Sequence, residues 1–458
     1  MSSVTPVLEE MLVDYIAGAH FEDLDSQAVD RCKKLILDTL GVAFPGSRAP
    51  GCPQIVDLLG LWQTDRGASV LLSGVQVPPP MAAMANSAMM HAMDFDDTLD
   101  ASALHTFVNV LPAALAAAEN SKTVSGKELI TALVVGVDII CRISLAIDRP
   151  LSWIRTATCG CFGAAASAAK ILGLDREEMF NALGVVYGQT SGNAQGLMEG
   201  CLVKRMQPGF AASAGVLSAF LAGRGITGSR RFLTGPYGYY PLYERGEFNP
   251  IPVTEGLGRH YSVVDLSIKP YPSCRMTHAS IDAALALKDR LGPPDDIDHI
   301  DVSVCSMGAE MVGKPFRIGN NPQVDAQFSI PYTTACAIIR GDVFLRDFEA
   351  DAIADPTVMD LARRVRVVAD PTLPAKDILP AEMTVTLKDG AIISEDVPIP
   401  LGHPHNPMNA DQCRRKFLKC LDYSGFSMRE EAREEVLSMI DHLETLPDVR
   451  DLIRIMAG

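Results

Sequence analysis

From Val7 to about Gly225 the chain repeats one theme, segments of helical period rich in Ala, Leu and Met, punctuated by Gly and Pro. Residues 81–95 are the clearest case. They follow the stop signal Pro78-Pro79-Pro80 and carry Ala82, Ala83, Ala85, Ser87, Ala88 and Ala92, small side chains that let helices approach closely. Runs at 112–118, 126–143, 160–172 and 211–222 have the same character. Several lack a charged outer face, so these helices must be buried on most sides. An earlier helix is expected to open at Ser26 as N-cap, with Val29, Cys32, Ile36 and Leu40 at helical spacing.

The character changes near residue 265. Residues 299–306 and 364–367 alternate like strands, and 382–397 alternate on both sides of Asp389-Gly390, a strong hairpin signal. Helical segments at 280–291 and 333–339 lie between them, which predicts a small α+β unit. After Pro400 the pattern turns helical from Asp411 onward. At 458 residues the chain is too long for one core. The reading is mainly α: a large all-helical domain from residues 1–265, a smaller α+β domain over 266–399, and helices in 400–458 that return to the first domain.

A net charge of −16 argues against a nucleic-acid partner and against a polybasic membrane-surface protein. The first eighteen residues have neither a basic nor an apolar region of the kind a secretory signal needs. The apolar stretch 108–118 is too short to span a bilayer. Eleven cysteines occur without a C-x-x-C pair, and Cys159 and Cys161 are too close for zinc spacing, so reduced thiols and a cytoplasmic location are expected. No dinucleotide fingerprint, phosphate loop or H-E-x-x-H is present, and no cofactor is expected.

Three clusters could carry chemistry. The densest runs His91-Ala-Met-Asp94-Phe-Asp96-Asp97-Thr98, with His105 in the loop beyond. Read as helix, Asp94, Asp97 and Thr98 share one face. Acids at a helix C-terminus oppose the dipole and need a reason, and a carboxylate beside an imidazole is an acid/base arrangement. Asp94 and His105 carry a stronger claim here than Asp96 and Asp97. The second cluster is Lys204-Arg205, followed by Pro208-Gly209 and a helix start, which suits an anion. The third, Lys269 to His278, offers two cations (Lys269 and Arg275), a thiol (Cys274) and an imidazole at the presumed domain junction. His403 and His405 lack a third ligand, so no metal site is expected.

Taken together, HAMDFDDT at 91–98, VKRMQPGFAA at 203–212, KPYPSCRMTHASIDAA at 269–284 and LGHPHNPM at 401–408 resemble the MmgE/PrpD family, in order and over nearly the whole chain. The resemblance implies a helical domain made from both chain ends, an inserted α+β lid, a homodimer, and an active site between the domains. It implies 2-methylcitrate dehydratases, cis-aconitate decarboxylases and iminodisuccinate epimerases as kin. By it, Asp94, Thr98, His105 and Lys204 match active-site positions, and Lys269 a second basic one. The family's decarboxylases carry a histidine where Cys274 stands, which disfavours decarboxylation and leaves elimination or epimerisation open.

The expectation is therefore a cofactor-independent lyase of the dehydratase type acting on a small hydroxy di- or tricarboxylate. An epimerase, a decarboxylase and a non-catalytic binding protein of the same fold are the alternatives. His105 would move the proton and Asp94 would orient it. Lys204, Lys269 and Arg275 would hold carboxylates, Thr98 and Cys274 would contact substrate, and His278 would be a second proton-transfer group.

Overall fold

The computed structural model describes residues 7–149 and 153–458. The opening residues read for a secretory signal include 1–6, which lie outside the described residues. The described chain is mainly α-helical and divides into two compact units, one running to Leu266 and resuming over Ala410–Gly458, the other Ser267–Asn409.

In the first unit, helix Pro79–His91 starts on two prolines whose fixed φ suits a first turn. It packs against helices Phe107–Ala118 and Val203–Ala222. The last contact is as close as small residues allow. A Cβ on Gly209 would sit 2.6 Å from the carbonyl oxygen of Met84, so only glycine lets the two backbones approach this far. Helix Gly160–Ile171 fills the centre, touching Val203–Ala222, Gly126–Leu145 and Phe107–Ala118. Helix Ser26–Gly46 packs along Ala410–Ser424, with Phe44 and Phe417 edge to face at 5.5 Å. Its N-cap is Asp25, which accepts from the Ala28 amide at 2.7 Å, and not Ser26, which is already inside the helix.

The second unit is built on a four-stranded sheet in the order Val365–Ala369, Ile297–Val304, Ala381–Leu387, Ile392–Val397. The first pair is parallel and the others antiparallel. The last two strands form the hairpin expected at Asp389-Gly390, where Gly390 takes φ +89°. Helices His278–Lys288 and Ile330–Arg340 cover the sheet, and Ile300, Val302, Met383 and Val385 are fully buried.

Among the described residues no helix is long and apolar enough to cross a membrane. None of the eleven cysteines is in a disulfide. Ten are buried, and Cys201 alone is exposed, just before helix Val203–Ala222.

Candidate active site

The residues of the first cluster do not continue a helix. Helix Pro79–His91 stops at His91, and Asp94 takes φ +54°, the left-handed region. Asp tolerates that region better than most residues, at a cost on the order of 1 kcal/mol. The expected shared helical face of Asp94, Asp97 and Thr98 is therefore absent. The chain turns instead, and Asp96, Asp97 and Thr98 all point into the protein, at most 4% exposed.

Asp97 caps the next helix. Its carboxylate accepts from the Thr106 amide at 2.9 Å, the Thr106 hydroxyl at 2.8 Å and the Phe107 amide at 3.2 Å, at the N-terminus of Phe107–Ala118. This is the favourable end of the dipole. Burial, then the adjacent Asp96 charge, push its carboxyl up. Between Asp97 and His105, Leu99 and Leu104 pair as a short bridge that closes the loop and presents His105 at its end.

Asp96 is the carboxylate that meets the imidazoles. Its Oδ2 lies 2.8 Å from His91 Nδ1 and 3.0 Å from His105 Nδ1, and the two rings stand edge to face at 4.9 Å. His105 Nδ1 also donates to the Asp97 carbonyl at 2.6 Å. A carbonyl can only accept, so Nδ1 carries the proton and the neutral ring keeps its lone pair on Nε2. The expected partner of His105 was Asp94; the structure puts Asp96 in that place. Asp94 Oδ1 instead faces Lys204 Nζ at 3.6 Å. Lys204 stands in the first turn of Val203–Ala222, and Pro208 lies within that helix, not ahead of it as the sequence pattern implied.

Burial alone would raise the Asp96 carboxyl, but the charges and hydrogen bonds of His105 and His91 outweigh it and hold it well below the usual range. Burial, then the Lys204 charge, lower His91 to about 4. Asp96 is thus an anion at neutral pH, beside a neutral His91. One oxygen of Asp96, Oδ1, is buried with no hydrogen-bond partner. From the sequence, Asp96 ranks below Asp94 and His91 carries no assigned role. The signal was a lone histidine closing an apolar, small-residue helix five positions before an acid.

The His91 value has a testable consequence. Between about pH 6.5 and pH 4 the unfolded chain binds a proton at this residue that the folded chain refuses. Its contribution to stability is therefore complete above about pH 6.5 and is lost as the pH falls to about 4. Replacing His91 by Gln should flatten the fall in Tm across that window, measured by thermal melts in a pH series; an unchanged slope would contradict a buried neutral ring.

Ligand atoms of His91, Asp96 and His105 lie within 4.8 Å of one another, the one trio among the described residues that could hold a metal ion. Without a metal the trio is a hydrogen-bonded acid/base group, with both imidazoles on Asp96 and His105 Nδ1 also on the Asp97 carbonyl. His403 and His405 are in no such trio.

In the second unit, Lys269, Cys274, Arg275 and His278 are all buried. Lys269 follows Ile268, whose carbonyl oxygen would lie 1.9 Å from a Cβ on Gly402, which holds φ +87°, so glycine is required there. Arg275 Nη1 donates to the Leu401 carbonyl at 3.1 Å and to His278 Nδ1 at 3.1 Å. His278 Nε2 faces the Ser273 carbonyl at 3.3 Å. Fully buried, with both ring nitrogens engaged, His278 has the geometry of a loop anchor and not of the proton-transfer group the sequence suggested. Arg275 likewise spends its guanidinium on the loop 267–278 and on Leu401.

The family model for the MmgE/PrpD N-terminal domain matches residues 10–250, and that for the MmgE/PrpD C-terminal domain matches residues 271–442. A cis-aconitate decarboxylase of Mus musculus is 27% identical over 466 residues, covering 98% of this chain and 93% of the relative. One from Aspergillus terreus is 28% identical, with 95% and 93% covered. A 2-methylcitrate dehydratase of Cupriavidus necator is 26% identical over 417 residues, with 86% and 85% covered.

Proposed function

The chain belongs to the MmgE/PrpD family, and on that premise we propose that it is a lyase moving a proton at a carbon next to a carboxylate of a small polycarboxylic acid, without metal or organic cofactor. One observation carries the reading: a buried carboxylate, Asp96, gathers two imidazoles and leaves the basic nitrogen of His105 as Nε2, while Lys204 supplies a cation whose charge acts on the same group.

In dehydration, His105 Nε2 takes the proton from carbon, the electron pair forms the double bond, and the hydroxyl leaves as water after accepting a proton. In decarboxylation, the C–C bond electrons shift into the carbon skeleton, CO2 departs, and His105, having taken a proton from solvent on Nε2, delivers it to carbon. Both routes build charge on a carboxylate oxygen or on an enolate, which Lys204 Nζ, itself partly exposed, would neutralise. Asp96 steadies the imidazolium that forms. Local cations of this kind are needed because a protein of net charge −16 repels polyanions at long range. The comparisons keep decarboxylation beside dehydration, even though Cys274 replaces a histidine expected of decarboxylases.

The test is to incubate chelator-treated protein with cis-aconitate, 2-methylcitrate, citrate and α-hydroxy or α-amino dicarboxylates in deuterated water, followed by NMR. Loss of CO2 identifies a decarboxylase and a new conjugated alkene a dehydratase. Deuterium uptake with inversion and no other change identifies an epimerase. No change in any acid would overturn the reading. Lys204→Ala should reduce kcat/KM by about 100-fold, as for a lost oxyanion-type donor.

The reading includes a homodimer. Val203, Phe210 and Leu217 recur every seven residues on one helix and are each at least 40% exposed, an apolar stripe that a second copy would cover. Light scattering after gel filtration should give twice 49.2 kDa, and Phe210→Asp with Leu217→Asp should give one chain. A wild-type monomer at micromolar concentration would refute the dimer.

A further inference from the structure

Helix Ala410–Ser424 brings one buried cation to the rear of the candidate site. Lys416 is 5% exposed, and its ammonium has three partners. Nζ lies 2.5 Å from Asp38 Oδ1, donates to the Phe95 carbonyl at 2.8 Å, and stands 3.8 Å over the centre of the Phe95 ring. A carboxylate, a carbonyl and a π face surround the ammonium. The Phe95 carbonyl belongs to the peptide that leads into Asp96. That short segment is the one with Asp94 in the left-handed region, and Lys204 pairs with the Asp94 carboxylate on its other side.

We propose that Lys416 is a positioning residue: by holding the Phe95 carbonyl, it fixes the direction in which Asp96 meets His91 and His105. This deepens the lyase reading and rests on it for its kinetic arm. A helix return could be sealed by any apolar side chain. A lysine is costly there, because a buried ammonium must find both an anion and hydrogen-bond acceptors. Here it has both, and its acceptor is the carbonyl next to the carboxylate of the acid/base group. Asp38 is fully enclosed, and burial raises it to about 6 against the pull of Lys416, with Asp97 and Asp96 adding to the rise. Asp38 therefore stays an anion at neutral pH, and an asparagine in its place would keep an oxygen able to accept from Lys416.

That separates the Phe95 contact from charge balance. Asp38→Asn keeps the lysine on Phe95 and should stay within about threefold of wild-type kcat. Lys416→Met with Asp38→Asn removes both charges, leaves no orphan ion, and should lower kcat by about 100-fold with KM nearly unchanged, as for a misplaced acid/base group. Lys416→Arg, which can still reach an acceptor and an anion, should restore most of the loss. A second readout needs no substrate. The low-field proton resonances of His91 and His105 Nδ1–H, assigned with histidine-labelled protein, should shift or vanish in the Met/Asn variant and return in the Arg variant. A folded Met/Asn variant with wild-type kcat and unmoved histidine resonances would overturn the proposal. Should the wild type act on no carboxylate, the lyase reading fails alone, and the resonances still decide whether Lys416 positions Asp96.

Discussion

Replacement of His105 by Ala is expected to lower kcat by at least about 100-fold, the loss typical of a missing general base, with KM changed only a few-fold. The expectation follows from the tautomer. Nδ1 is committed to the Asp97 carbonyl and to Asp96 Oδ2, so Nε2 is the only ring atom that can accept a proton. His91 does not substitute for it, because its own Nδ1 is held by the same Asp96 oxygen and its side chain is only 3% exposed. Exchange of the substrate C–H with deuterated solvent should fall in parallel with turnover. Near-normal rates in a variant that melts like the wild type would remove His105 from the chemistry.

Asp96→Asn should cost more, about 1000-fold in kcat, within the span seen when an acid/base group loses both its charge and its orientation. Both imidazoles meet the same oxygen, so the amide oxygen is a weaker acceptor for the pair, its NH2 is left in the unpartnered place of Oδ1, and no charge remains to balance an imidazolium. Stability should move differently. Asp96 is a fully buried anion held well below the usual carboxyl range, so its charge favours the fold and the variant should melt somewhat lower. A modest fall in Tm alongside the full kinetic loss marks a group kept for function. A kcat and a Tm that collapse together would make Asp96 a structural residue.

The sequence made much of this legible, and the limits have physical causes. Small residues at helical spacing announced the close crossings of the first unit, and Asp389-Gly390 announced the hairpin, since both are local signals. The span 91–105 stood out because three acids at an apparent helix end contradict the helix dipole. Which acid meets His105 was not legible. Asp94, Asp96 and Asp97 are equivalent until the chain turns, and it turns at Asp94, against the local helical pattern. The groups that sustain the turn come from elsewhere: Lys204 from a later helix, and Lys416 from 321 positions beyond Phe95. His278 misled for the opposite reason. A histidine near two cations reads as reactive, but Arg275 and the Ser273 carbonyl occupy both of its nitrogens.

The distribution of thiols has a practical corollary. With ten cysteines sealed inside and only Cys201 at the surface, the unmodified protein presents one handle for maleimide chemistry. That handle stands at the foot of the helix bearing Lys204, so a fluorophore attached there would report the arrival of an acid at the lysine without any engineered substitution.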